Sequence, residues 1–166
     1  ELKADYSLTN SMGENILHSI GRLGRYGNDF GPRIVIDKRV VEYLIDLKIN
    51  LNSTNEFGRT PLEFFCSGHR LIPEDLEILK LFISRGASTT RVIDSIIASP
   101  IFLGDEDVTP TTKCDFLREV IVNVGLDCNM VNANSQSPLH ILCRNQSFDS
   151  KSTLLTLEEL LRLGAS

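Results

Sequence analysis

The sequence contains no apolar run approaching ~18 residues, so no segment has the length of a membrane-spanning helix. Its first residues, Glu1-Leu2-Lys3-Ala4-Asp5-Tyr6, lack the basic-then-apolar pattern of a secretory leader. The four cysteines stand at 66, 114, 128 and 143 and form no Cys-x-x-Cys, so they spell neither a disulfide framework nor a common metal clip. Gly-x-Ser-x-Gly, His-Glu-x-x-His and a Gly-rich phosphate loop are also absent, which removes the usual signatures of hydrolases, metalloproteases and nucleotide enzymes. There is no basic excess. The net charge is −5 and the pI about 5.2, which argues against a general nucleic-acid or anionic-lipid binder. What remains is 166 residues, 42% apolar and 23% charged, the proportions of one ordinary globular domain. Four free thiols point to a reducing compartment, the cytoplasm, with the nucleus also open.

The chain repeats itself, and a missed repeat would misread the whole fold. Leu81-Phe82-Ile83-Ser84-Arg85-Gly86-Ala87, Val120-Ile121-Val122-Asn123-Val124-Gly125-Leu126 and Leu160-Leu161-Arg162-Leu163-Gly164-Ala165 end alike. Tyr43-Leu44-Ile45-Asp46-Leu47-Lys48-Ile49 matches them with Lys48 in place of glycine. Positions 48, 86, 125 and 164 are spaced 38, 39 and 39 apart. A second series comprises Gly58-Arg59-Thr60-Pro61-Leu62-Glu63, Ser135-Gln136-Ser137-Pro138-Leu139-His140 and the degenerate Gly13-Glu14-Asn15-Ile16-Leu17-His18. Pro61 and Pro138 each fall 13 residues after the closing position before them. Two registers agree at one offset.

Physical chemistry turns this pattern into helices. Thr60 and Ser137 are expected to cap a first helix by accepting an orphan amide. Pro61 and Pro138 then take the first helical position, where a missing N–H costs nothing. Leu62, Phe65 and Cys66, or Leu139, Leu142 and Cys143, follow at helical spacing. A second helix ends at Gly86 or Gly164, as a left-handed residue requires. Neither helix can bury its apolar face alone, so units must stack. Helices are expected near 15–21, 36–48, 61–67, 74–85, 91–98, 114–124, 138–144 and 153–163.

Gly-x-Thr-Pro-Leu-His opening one helix and Leu-Leu-x-x-Gly-Ala closing the next resembles the ankyrin repeat, across essentially the whole chain. The resemblance implies an all-α solenoid of about four helix-loop-helix units, near 10–52, 53–90, 91–129 and 130–166, within a single array spanning 1–166. The ankyrin unit is about 33 residues, and this period is longer. The excess is expected in loops between the two helices of a unit, at 21–36, 67–73 and 145–151. The third unit lacks the opening motif. Val92, Ile93, Ile96 and Ile97 predict its first helix at 91–98, with the preceding hairpin deleted, in preference to the in-register Ser99-Pro100. The acidic stretch 104–112 is then a loop. Both ends fall at the same phase of the repeat, which reads as a piece of a longer array.

The reactive residue types have bland explanations. Cys66 and Cys143 share a position with Gly21, where a small residue lets neighbouring helices approach. Cys66-x-x-His69 and His140-x-x-Cys143 contain zinc-ligand types, but they belong to units two steps apart, about 20 Å on helix spacing, too far for one ion. No cofactor or metal is therefore expected. By the resemblance, His18 and His140 bond the backbone of the adjoining hairpin, and Glu63 loses that bond. The function implied is a non-catalytic module binding another protein or a peptide, with no nucleic acid or membrane involved. The alternative is the regulatory or substrate-recruiting arm of a larger enzyme, such as a ubiquitin ligase or kinase. The expected contact residues are the hairpin tips Met12, Phe57 and Asn134, the flanking Glu14, Arg59 and Gln136, and Ser19, Phe64 and Ile141 on the first helices. Met12, Phe57, Phe64 and Ile141 would form an apolar stripe.

Overall fold

Eight helices and no strand occur among the described residues, which are 5–23, 36–68, 71, 74–99, 110–144 and 150–166 of a computed structural model. They are α1 (Ile16–Leu23), α2 (Lys38–Asp46), α3 (Pro61–Gly68), α4 (Asp75–Ser84), α5 (Val92–Ala98), α6 (Pro110–Arg118), α7 (Pro138–Arg144) and α8 (Ser150–Arg162). Helix α6 runs on into a π-helical turn, Glu119–Asn123. Every expected helix is present within a few residues of its expected span. The preference for a helix at 91–98 holds, and α5 buries Val92, Ile93, Ile96 and Ile97. The largest difference is α6, which starts at Pro110 rather than near 114. Proline is preset for a first helical turn, so the helix takes in the end of the stretch expected as a loop. Most of the three inter-helix insertions and of 104–112 lies outside the described residues, while 21–23, 67–68 and 150–151 belong to α1, α3 and α8.

Local chemistry sets the helix starts. In α3, Thr60 Oγ1 accepts from the Glu63 N–H at 3.3 Å while the Glu63 carboxylate accepts from the Thr60 N–H at 3.1 Å. This reciprocal pair satisfies two orphan donors at once. Asn15 does the corresponding work for α1, its Oδ1 accepting from Leu17 N–H at 3.1 Å and His18 N–H at 3.3 Å. Asp37 caps α2 through the Arg39 N–H at 2.9 Å.

Packing runs in succession: α1 lies on α3, α3 on α5 and α5 on α7, while α2 lies on α4 and α6 on α8. Phe65, Phe82, Leu17, Leu62, Leu79, Ile96, Leu117 and Leu160 are fully buried between these helices. At Gly21 the approach is tight. A Cβ there would stand 2.9 Å from the Phe64 ring and 3.0 Å from the Phe65 backbone, so only glycine lets α1 meet α3 this tightly.

Helix ends α4, α6 and α8 are closed by left-handed Gly86, Gly125 and Gly164, with φ of 91°, 81° and 96°. Lys48 takes the same conformation after α2 at φ 63°, and Ser135 does so in the turn before α7 at φ 58°. A side chain in this region costs roughly 1–2 kcal/mol, part of which glycine returns by loosening the unfolded chain. Lys48→Gly and Ser135→Gly should therefore each stabilise the protein by about 0.5 kcal/mol, read as a higher urea midpoint with an unchanged slope.

Candidate interaction surface

Three turns precede α1, α3 and α7, and one asparagine builds each of them. Asn10 Oδ1 accepts from the N–H groups of Met12 (2.9 Å) and Glu14 (3.0 Å). Asn55 Oδ1 takes Phe57 and Arg59 in the same way, both at 3.0 Å. Asn132 Oδ1 takes Asn134 (2.9 Å) and Gln136 (3.1 Å). The backbone closes each turn identically, with Gly13, Gly58 and Ser135 N–H donating to the asparagine carbonyl at 2.9 Å. Sequence reading missed these asparagines, although Asn-x-x-Gly or Asn-x-x-Ser recurs three residues ahead of every turn glycine or its serine counterpart.

The fourth atom of the asparagine distinguishes the turns. Asn10 Nδ2 donates to Glu14 Oε2 at 2.8 Å and Asn132 Nδ2 to Gln136 Oε1 at 3.4 Å. In the middle turn the equivalent residue is Arg59, which carries only donors. Its guanidinium turns to Ser67 Oγ at 3.0 Å, and Asn55 Nδ2 is left buried without a partner.

Neighbouring segments are tied by polar groups as well as by packing. His18 is fully buried. Its Nε2 lies 3.0 Å from the Arg59 carbonyl, and its Nδ1 lies 2.8 Å from Asn15 Oδ1 and 3.2 Å from the Asn15 N–H. Burial pushes the His18 pKa below the usual histidine value, which keeps the ring neutral. Asn52 Nδ2 donates to the Gly86 carbonyl at 3.1 Å and Asn129 Nδ2 to that of Gly164 at 2.9 Å, bridging corresponding points of the repeat. On the outside, Lys38–Glu77 (3.1 Å), Asp46–Arg85 (2.5 Å) and Lys80–Glu119 (2.8 Å) join residues 39 apart. These exposed pairs contribute little energy, but they follow the period.

The expected contact residues divide by burial. Phe57 is 62% exposed at its turn, and Ser19 and Asn134 are exposed as well. Met12, Arg59 and Gln136 are half-buried. Phe64 and Ile141 correct the expectation: they are only 4% and 9% exposed, so the apolar stripe does not form. Phe64 lies edge-on to the His18 ring, centroids 6.1 Å apart, and Ile141 is part of the core. Glu14 is buried too, at 3% exposure, because its carboxylate holds Asn10. The expected contact residues that remain accessible are polar apart from Met12 and Phe57.

Cys66, Cys114 and Cys128 are buried and Cys143 is exposed. Burial pushes the thiols of the three buried cysteines upward. Among the described residues no three His, Cys, Asp or Glu side chains are placed to share a metal ion; His69 lies outside them. No helix among the described residues is long and apolar enough to cross a membrane. No family model matches the chain, and no curated protein matches it by sequence.

Two measurements check this description. Arg59→Gln supplies the acceptor that Asn55 Nδ2 lacks, and satisfying a buried donor is worth about 1 kcal/mol, so thermal denaturation should shift upward. A coloured disulfide reagent should modify one thiol, Cys143, in the native protein, with the others reacting at the rate of unfolding.

Proposed function

We propose that the chain is an ankyrin-type array of about four stacked helix-loop-helix units, and that it acts as a non-catalytic module binding a partner protein or peptide. One observation carries this reading: three turns with the same asparagine-centred hydrogen bonds recur ahead of α1, α3 and α7. The spacing of the left-handed helix ends and the succession of packed helices support it. Repeated turns of this kind offer extended binding surfaces built from equivalent positions. The contact set is Met12, Ser19, Phe57, Arg59, Asn134 and Gln136, with Phe57 as its apolar anchor. Aromatic and arginine residues concentrate binding energy in interfaces, and an aromatic side chain at a turn tip has little fold around it to justify its exposure.

Affinity capture with the chain, followed by titration of the captured partners, tests the proposal. Phe57→Ala and Arg59→Ala should each weaken binding by about 1 kcal/mol or more, with thermal stability nearly unchanged. Partners that bind both variants as tightly as the parent would rule out the turn face.

A further inference from the structure

The connections before α3 and α7, residues 47–60 and 124–137, are each 14 residues long, whereas the connection between α4 and α5, 85–91, has 7. The asparagine-centred turn is missing there, and the turns before α3 and α7 are left without a middle member. Where two turns are adjacent they bond directly, the Glu56 N–H donating to the Met12 carbonyl at 3.0 Å. The corresponding groups facing the gap are the Phe57 carbonyl and the Ala133 N–H, and neither is hydrogen-bonded among the described residues.

Beside the shortened connection lies a shallow recess lined by Thr90, Ile93, Asp94, Asp127, Met130 and Pro138. Asp94, in the first turn of α5, stands in for part of the missing turn by accepting from the Asn132 side chain near Arg91. Burial, with the charge of Glu63, nevertheless pushes its carboxyl up against the opposing pull of Arg91 and Asn132. Asp127 adds a second carboxylate, and Phe57, Met130 and Val131 are exposed apolar groups of the flanking connections.

We propose that this gap is the docking site for an extended partner segment carrying a lysine or arginine. The main chain of that segment replaces the missing turn by bonding the Phe57 carbonyl and the Ala133 N–H, as an added strand does at an open edge. Its basic side chain lies over the mouth of the recess, the stem against Met130 and the cationic head beside Asp94 and Asp127. The inference rests on the interaction-module reading above and assigns that partner its chemistry.

The test uses four pools of labelled, N-acetylated random heptapeptides whose central residue is lysine, arginine, norleucine or glutamate. They are titrated against the whole chain by fluorescence anisotropy at physiological ionic strength. The lysine and arginine pools should bind at least roughly tenfold more tightly than the other two, a difference of about 1.4 kcal/mol. The near-isosteric double substitution Asp94→Asn with Asp127→Asn, confirmed as folded by its melting curve, should erase that preference. A second variant, with a copy of residues 53–59 inserted between Arg91 and Val92, should abolish binding. Equal affinity for all pools would overturn the proposal, as would a preference that survives the double substitution. If no pool binds while captured proteins still respond to Phe57→Ala, this inference falls and the broader reading stands.

Discussion

None of these helices can hold itself together alone. The longest spans 13 residues and the shortest 7, and isolated helices below about 12–15 residues are marginal in water. Each therefore depends on the apolar face it shares with a neighbour, and the closeness of that sharing governs much else. Gly21 shows the limit: α1 meets α3 so tightly that a methyl group would strike the Phe65 backbone. Once helices stand that close, their polar ends meet as well, and each end needs a partner from the next segment rather than from water.

The partners are supplied by a small set of side chains that recur in register. His18 reaches the Arg59 carbonyl, Asn52 reaches Gly86, and Asn129 reaches Gly164. Such bonds add modest net energy, but leaving the same groups buried and unpaired would cost about 1–3 kcal/mol each. They consequently discriminate between the native register and a slipped one more than they stabilise either. The exposed ion pairs at 39-residue separation do the same more weakly, since solvent screens them.

Most of this architecture was legible in the residues. Hydrophobic spacing marked every helix, the Thr-Pro and Ser-Pro pairs marked the starts of α3 and α7, and glycine marked three ends. The candidate site was less legible because exposure depends on what a side chain meets in space. Phe64 and Phe57 are the same residue type seven positions apart, yet one is wedged against His18 and the other stands free at a turn. Glu14 reads as a surface charge and is instead an internal acceptor for Asn10. Glu63 shows the reverse difficulty. It stands where the motif has histidine, but the connection that such a histidine would reach is the shortened one, and the carboxylate serves its own helix start by accepting from the Thr60 N–H.

The π-helical turn after α6 bears on how a succession of packed helices can change length. At the ends of α4 and α8 the closing bond spans five residues, from Ala87 N–H to the Phe82 carbonyl and from Ala165 N–H to that of Leu160. After α6 the corresponding bond spans six, from Leu126 N–H to the Val120 carbonyl. One additional residue is thus housed within a single widened turn, and Gly125 still closes the helix in its left-handed conformation. An insertion absorbed in this way leaves the following connection, its asparagine and the next helix start in phase. Single-residue drift in one segment therefore stays local, and neighbouring segments can diverge in length without losing their fit to one another.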